Sequence, residues 1–244
     1  MELTMTSPLG VSLTWLGHSA FHLDIPGGPS LLFDPWLSNP KAPANAAELA
    51  ATANVICVTH GHGDHIGETV ALAKATGAKV LCSVELGMEL VAEGAPEEQV
   101  VAFNIGGSYA THGVTATLVQ AFHSSSLATT DGRPREIGTP CGFVLECPHD
   151  LVIYNTGDTG VFGDMALIGE MYHPDILMLP IGDFYTMGPR QAAKACELVQ
   201  PTWIVPQHYA TFPGLPGTPE ELKRHLPVGL QGRVLTPAPG ETIR

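Results

Sequence analysis

The stretch Asn54-Val55-Ile56-Cys57-Val58-Thr59-His60-Gly61-His62-Gly63-Asp64-His65-Ile66-Gly67 decides the fold. Its β-branched apolar start, bounded by Asn54 on one side and a glycine cluster on the other, reads as a buried strand that ends at the histidines. Open α/β folds keep their sites at the carboxyl ends of strands. Gly61 and Gly63 put no side chain between the ligating residues, so the backbone can turn tightly and imidazoles two and five residues apart can converge. Neutral imidazole and carboxylate are ligand types that suit zinc, manganese or iron, and the groups that complete each metal's shell must come from elsewhere in the chain. At this chain's own histidine frequency, such a heptapeptide is expected by chance roughly once in a thousand chains.

Composition bounds the remainder. The chain has 244 residues, 44% of them hydrophobic and only 14% charged, which fits one α/β domain over residues 1–244 with a large core and no linker. No apolar run reaches the roughly 20 residues of a membrane span. The start, Met1-Glu2-Leu3-Thr4-Met5, lacks the basic flank and apolar stretch of a signal peptide. A cytoplasmic protein is expected. The cysteines Cys57, Cys82, Cys141, Cys147 and Cys196 are scattered, never spaced as a Cys-x-x-Cys pair, and read as buried apolar residues. A net charge of −13 with eleven Lys and Arg excludes nucleic acid as the default partner, because phosphate binding rests on clustered cations.

Moving outward from the motif, residues 11–16, 20–25 and 31–33 alternate as strands, and the third ends at Asp34. Residues 44–52 read as a short helix. After the motif, apolar residues at helical spacing predict a helix over 66–75 ended by Gly77, with its amino end pointing at the ligands. Then come a strand at Lys79–Cys82, a helix at Val84–Ala92, and strands at 100–105 and 114–122, a β-α-β-α rhythm. A polar loop over 128–138 carries Arg133 and Arg135 and reads as a mobile lid. A hairpin joins Cys141–Glu146 to residues 151–154, which run into Asp158. A strand at 175–180, a helix opened by Pro189 and a strand at 203–205 deliver His208. Thr218-Pro219-Glu220-Glu221 is a capping box. His112, His149, His173 and His225 fall in turns or at a helix end and read as solvated. Ser124, Ser125 and Ser126 have no nucleophile elbow around them and read as loop hydrogen bonders.

Several segments stand in the order of a known family. They are Trp15-Leu16-Gly17-His18-Ser19-Ala20-Phe21, the heptapeptide from Thr59 to His65, Ala121-Phe122-His123-Ser124-Ser125-Ser126, Gly157-Asp158-Thr159-Gly160, Gly182-Asp183 through Pro189, and Pro206-Gln207-His208-Tyr209. From about residue 11 to 243 the chain resembles the metallo-β-lactamase superfamily, in particular its small metal-dependent hydrolase branch, akin to bacterial L-ascorbate-6-phosphate lactonase. The resemblance implies an αββα four-layer sandwich, with two mixed β-sheets face to face and helices outside. It further implies two divalent metal ions per chain, zinc first, with manganese, iron or nickel as alternatives. One ion would be held by His60, His62 and His123, the second by Asp64, His65 and His208, with Asp158 bridging both. Asp34 matches a carboxylate that orients a ligand imidazole, or else caps a turn. His18 and Asp183 are left near the site mouth as groups for proton transfer or positioning, beside Asp64.

Two cations sharing a water lower its pKa and present hydroxide to a carbonyl carbon or phosphorus, so hydrolysis of a small-molecule lactone, ester or phosphodiester is expected. A nuclease of the same superfamily would need a basic groove. A di-iron reductase tends to carry glutamate where this chain has His62. A non-catalytic metal-binding protein is the third alternative. Arg133, Arg135 and Arg190 are the cations expected to meet one anionic group on the substrate. Assembly as a homo-oligomer is left open.

Overall fold

Alternation along two short strands settles which way the first sheet faces. In the computed structural model, which describes residues 9–128 and 132–244, Leu31 and Phe33 point into one hydrophobic cluster and Leu32 into another. Val55 and Cys57 likewise join the first cluster, and Ile56 and Val58 the second. A sheet whose two faces are both apolar must be covered on both.

The first half of the chain supplies β1 (Ser12–Trp15), β2 (Phe21–Asp24), β3 (Ser30–Phe33), α1 (Ala46–Ala50), β4 (Val55–Cys57), α2 (Gly63–Ile66), α3 (Thr69–Thr76), β5 (Lys79–Cys82), α4 (Val84–Ala92) and β6 (Val100–Ala102). The second half supplies β7 (Ser108–Thr111), β8 (Val114–Gln120), β9 (Ser126–Ala128), β10 (Pro134–Glu136), β11 (Cys141–Glu146), β12 (Val152–Asn155), α5 (Met165–Tyr172), β13 (Ile176–Pro180), α6 (Pro189–Val199), β14 (Trp203–Gln207), α7 (Pro219–His225), α8 (Val228–Gln231) and β15 (Thr242–Ile243). Among the described residues, one sheet runs β15-β1-β2-β3-β4-β5-β6 and the other β14-β13-β12-β11-β8-β7. Both are mixed: β3, β4, β5 and β6 are parallel neighbours, as are β12, β13 and β14, and the remaining pairs in these sheets are antiparallel.

The inner faces meet in a core that includes Leu13, Phe21 and Phe33 from one sheet and Leu118, Phe143 and Ile153 from the other. Phe33 and Phe143 touch across the layers with ring centroids 6.1 Å apart, a pairing worth about 1 kcal/mol beyond the area it buries. Outside the first sheet, Ala50, Ala73, Leu86 and Leu90 of α1, α3 and α4 cover Leu32, Ile56 and Val80. Helices α5 and α6 pack together beside the second sheet. Their approach is close enough that a Cβ on Gly169 would lie 2.7 Å from the Val199 carbonyl. This is the expected αββα sandwich. No helix among the described residues is long and apolar enough to cross a membrane.

Some local expectations change. The helix expected over 66–75 is two helices, α2 and α3, broken at Gly67 (φ 44°), where a Cβ would overlap the Pro35 carbonyl. Asp64 and His65 therefore lie inside a four-residue helix of their own rather than before a longer one. The strand expected over 100–105 pairs only through Ala102, and the chain turns into the β7–β8 hairpin, whose first strand is too short and polar to announce itself. Helix α5 also escapes the sequence reading, although Met165, Ile168 and Gly169 bury one face at helical spacing. The polar loop expected as a lid includes one end of β9 and all of β10, which pair antiparallel. Residues 129–131 of that loop, like the amino-terminal segment read as lacking a signal peptide, lie outside the described residues.

Candidate metal centre

Strand direction gathers the site. β1, β3 and β4 run one way in the first sheet and β8, β12 and β14 run one way in the second. At or just beyond their carboxyl ends come His18, Asp34, His60, His123, Asp158 and His208. His18 (φ 53°), Asp34 (φ 41°) and His208 (φ 53°) hold left-handed backbone, a strain of order 1 kcal/mol each that concentrates at functional sites. Gly61 is fixed by packing, since a Cβ there would overlap Ile137. Gly63 is not, because nothing lies within 4 Å of a Cβ at that position; the tight turn thus depends on one glycine of the two.

The donors fall into three overlapping groups whose ligand atoms lie within 4.8 Å of one another: His60, His62 and His123; His18, Asp64, His65 and His208; and His60, His65 and Asp158. Asp158 sits in the middle. Its Oδ2 is 3.1 Å from His208 Nε2, 3.2 Å from His65 Nε2 and 3.7 Å from His123 Nε2. Asp64 Oδ2 lies 3.7 Å from His208 Nε2 and 4.0 Å from His65 Nε2.

These buried groups fit a cation. His65 Nε2 and Asp158 Oδ1 are fully buried without a hydrogen-bond partner, an expensive state for polar atoms unless they serve as ligands. Burial opposes ionisation of Asp158, yet His208 and His65 outweigh it and hold the carboxyl well below the usual range. Reciprocally, burial pulls His208 down, but Asp158 and Asp64 raise it to about 9. His65 moves up for the same reason, burial being overcome by Asp158 and Asp34. His60, His62 and His123 are pushed down, chiefly by burial, and so are neutral imidazoles ready to ligate.

Asp34 braces this arrangement. Its Oδ1 accepts from Thr59 N (2.8 Å), and its Oδ2 accepts from Thr59 Oγ1 (2.8 Å) and His65 Nδ1 (2.7 Å). With Nδ1 donating to Asp34, the neutral form of His65 that a cation would select has its bare Nε2 on the Asp158 side. Thr59 Oγ1 also lies 2.9 Å from His60 Nδ1; because the hydroxyl hydrogen goes to Asp34, the imidazole donates and His60 Nε2 is bared too. One buried carboxylate therefore sets donors in all three groups.

His18 is not at the site mouth. It has no exposed surface, its Nε2 donates to Asp64 Oδ2 (3.0 Å), and Thr211 Oγ1 lies 2.9 Å from its Nδ1. Burial pushes its pKa down to about 4 despite the Asp64 hydrogen bond, so it is a neutral imidazole whose one proton is spent on Asp64. Asp64 in turn stays ionised, burial being outweighed by His18 and His208.

Asp183 is not brought into the group at all. Its Oδ1 accepts from Phe184 N (2.8 Å) and its carboxyl packs on Gly188, in a different cleft that also contains Arg190. Arg135 is held by Glu89, beside Leu127 and Ala128. The arginines expected to meet the substrate thus include two that line other clefts, and Arg133 is exposed and does not line the cleft over the donors.

That cleft, of about 730 Å³, is lined by His62, Asp64, His123, Asp158 and His208 at its floor and by Phe184, Tyr185 and Phe212 above. Sequence reasoning missed Thr59, Thr211 and these aromatics. Thr59 had a signal, a hydroxyl immediately before His60 at a strand end; Thr211 had none, being 193 residues from His18. Ser125 proves a loop hydrogen bonder, accepting from Gly61 N and donating to the Ile137 carbonyl. His112, His149, His173 and His225 are exposed as expected.

Comparison with known proteins supports the fold and the hydrolase class. The Beta-lactamase superfamily domain family matches residues 12–208. A UPF0173 metal-dependent hydrolase of Herpetosiphon aurantiacus is 44% identical over 94% of this chain and 96% of its own length. One from Myxococcus xanthus is 46% identical over 94% of this chain and 82% of its own. Among solved structures, Igni18, a metallo hydrolase of Ignicoccus hospitalis, superposes with a TM-score of 0.82 at 34% identity, covering 96% of this chain and 97% of that one. The chain belongs to the metallo-β-lactamase superfamily and is a metal-dependent hydrolase of the UPF0173 kind.

Proposed function

We propose that this hydrolase holds two divalent metal ions, zinc in the first instance, and cleaves a small-molecule lactone, ester or phosphodiester. The observation that carries the reading is Asp158: a buried carboxylate with one orphaned oxygen, placed between the His60, His62, His123 group and the His65, His208, Asp64 group. In this reading His60, His62 and His123 hold one ion, Asp64, His65 and His208 hold the other, and Asp158 serves both. When bound, such ions polarise the oxygen under attack and lower the pKa of water toward neutrality.

The chain's own residues supply the remainder. Asp64 has 31% of its side chain exposed in the cleft, where the ionised carboxylate can orient the attacking water by accepting a hydrogen bond from it. His18, sealed behind it, holds that carboxylate in place through Nε2–H, so it is a positioning residue that never meets substrate. Trp36 packs edge-on against the His18 ring at 5.2 Å, limiting its rotation. Phe184, Tyr185 and Phe212 narrow access of bulk water from above. A polyanionic substrate is disfavoured, since no lysine or arginine lines the cleft among the described residues.

The test is a panel of lactones, carboxylic esters, phosphodiesters and amides on protein reconstituted separately with zinc and with manganese, together with metal analysis. The expected result is two ions per chain and turnover confined to one bond class. At most one ion in metal-replete protein would refute the dinuclear assignment, and turnover of amides alone or of none of the four bond classes would refute the substrate assignment.

A further inference from the structure

Three aromatic rings line the cleft over the donors. Phe184 is 77% exposed, Tyr185 60% and Phe212 39%, yet all three line the cleft whose floor is the metal-binding group. Large apolar side chains left in water at a site entrance mark ligand contact rather than folding. Phe184 and Tyr185 meet edge to face at 4.7 Å, and Phe212 continues the wall by packing on Trp36 at 5.8 Å.

The loop that presents Phe184 and Tyr185 is built to do so. Asp183 (φ 65°) and Phe184 (φ 58°) are consecutive left-handed residues, costly for a bulky side chain. The turn is held by Asp183 N donating to the Met187 carbonyl (3.0 Å) and by Phe184 N donating to the Asp183 carboxylate (2.8 Å). Asp183 thus acts on the site only by aiming the rings.

The same wall lacks what a charged substituent would require. No lysine or arginine is among the described residues lining it, and Arg135 and Arg190 face other clefts. A phosphate remote from the reacting bond would find no partner here.

We propose that Phe184, Tyr185 and Phe212 form a specificity subsite for an aromatic or bulky apolar group on the substrate, so that the preferred lactone or ester carries such a group and no second anionic one. This rests on the hydrolytic reading of the metal site for its substrate class, but the subsite itself is tested by binding alone. The measurement is calorimetric titration of metal-loaded protein with 4-phenylbutyrate and with butyrate, acids that differ by the ring. The phenyl acid should bind about tenfold more tightly, and the ratio should fall below about threefold in Phe184→Ala and in Phe212→Ala. Met171→Ala, an exposed apolar side chain on α5 outside the cleft, should keep the ratio. Because Phe184 is so exposed, its replacement does not threaten folding.

In parallel, kcat/KM is compared for γ-benzyl-γ-butyrolactone, γ-methyl-γ-butyrolactone and a phosphorylated sugar lactone. The benzyl lactone should lead. Equal affinity of the two acids, an unchanged ratio in both variants, or a lead by the phosphorylated lactone would overturn the subsite. Absence of lactone turnover with the binding ratio intact would support the subsite while refuting lactone hydrolysis.

Discussion

Replacing Asp34 by asparagine should separate metal binding from folding. Asp34 is wholly buried and accepts three hydrogen bonds, from Thr59 N, Thr59 Oγ1 and His65 Nδ1. In Asp34→Asn the amide oxygen can keep Thr59 N, but the amide nitrogen then faces the other two donors. Thr59 can turn its hydroxyl to accept. His65 can accept only by moving its proton to Nε2, the atom left bare toward Asp158. All three bonds to a charged group are exchanged for neutral ones, a loss of about 2–4 kcal/mol in the metal-free protein, which a domain of this size survives. The tautomer change is more damaging for the ion, with affinity at the His65 position falling about 10–100-fold. Urea unfolding in chelator measures the first quantity, and equilibrium dialysis with elemental analysis the second. If Asp34→Asn held both ions within about threefold of the parent affinity, the argument that Asp34 sets the His65 tautomer would be wrong. Asp34→Ala should fare worse, because three buried donors would lose their acceptor at about 1–3 kcal/mol each.

Other perturbations probe the rest of the structure. Chelation should lower the melting temperature by several degrees, since ions that bind only the folded chain stabilise it by mass action; an unchanged melting curve would deny that the donors hold metal. Asp158→Ala should abolish turnover and leave less than one ion per chain by elemental analysis. Stability should fall above about pH 9: burial raises Cys82, Cys147 and Cys196 to about 12 and Cys57 and Cys141 well above their usual value. Between the unfolded thiol pKa and these native values the unfolded chain has released protons that the native one keeps, so each fully buried thiol withdraws about 1.4 kcal/mol per pH unit, readable as a falling urea midpoint from pH 9 to 11. With a charge of −13, labelled single-stranded and duplex RNA should show no submicromolar binding at physiological salt; tight binding with a steep salt slope would restore the nuclease alternative.

What the sequence determined by itself was local. A β-branched run entering His60-Gly61-His62-Gly63-Asp64-His65 is a strand and turn whatever surrounds it, because side-chain alternation and glycine punctuation act over a few residues. The same short-range signals put His123, Asp158 and His208 at strand ends, and family order supplied their grouping, so the donor set and the layered sandwich were legible before any coordinates. The break at Gly67 was not, since it depends on the Pro35 carbonyl arriving from another loop. Nor was the fate of the leftover polar groups. His18 and Asp183 looked alike as polar groups left near the site mouth, yet packing sealed one behind Asp64 and turned the other to its own loop. Thr211 against His18, Asp34 beneath both His60 and His65, and three rings with no cation over the cleft are contacts between segments far apart in the chain. They arise only when two sheets close on each other, and it is there that a list of metal ligands becomes a site with a shape and a preference.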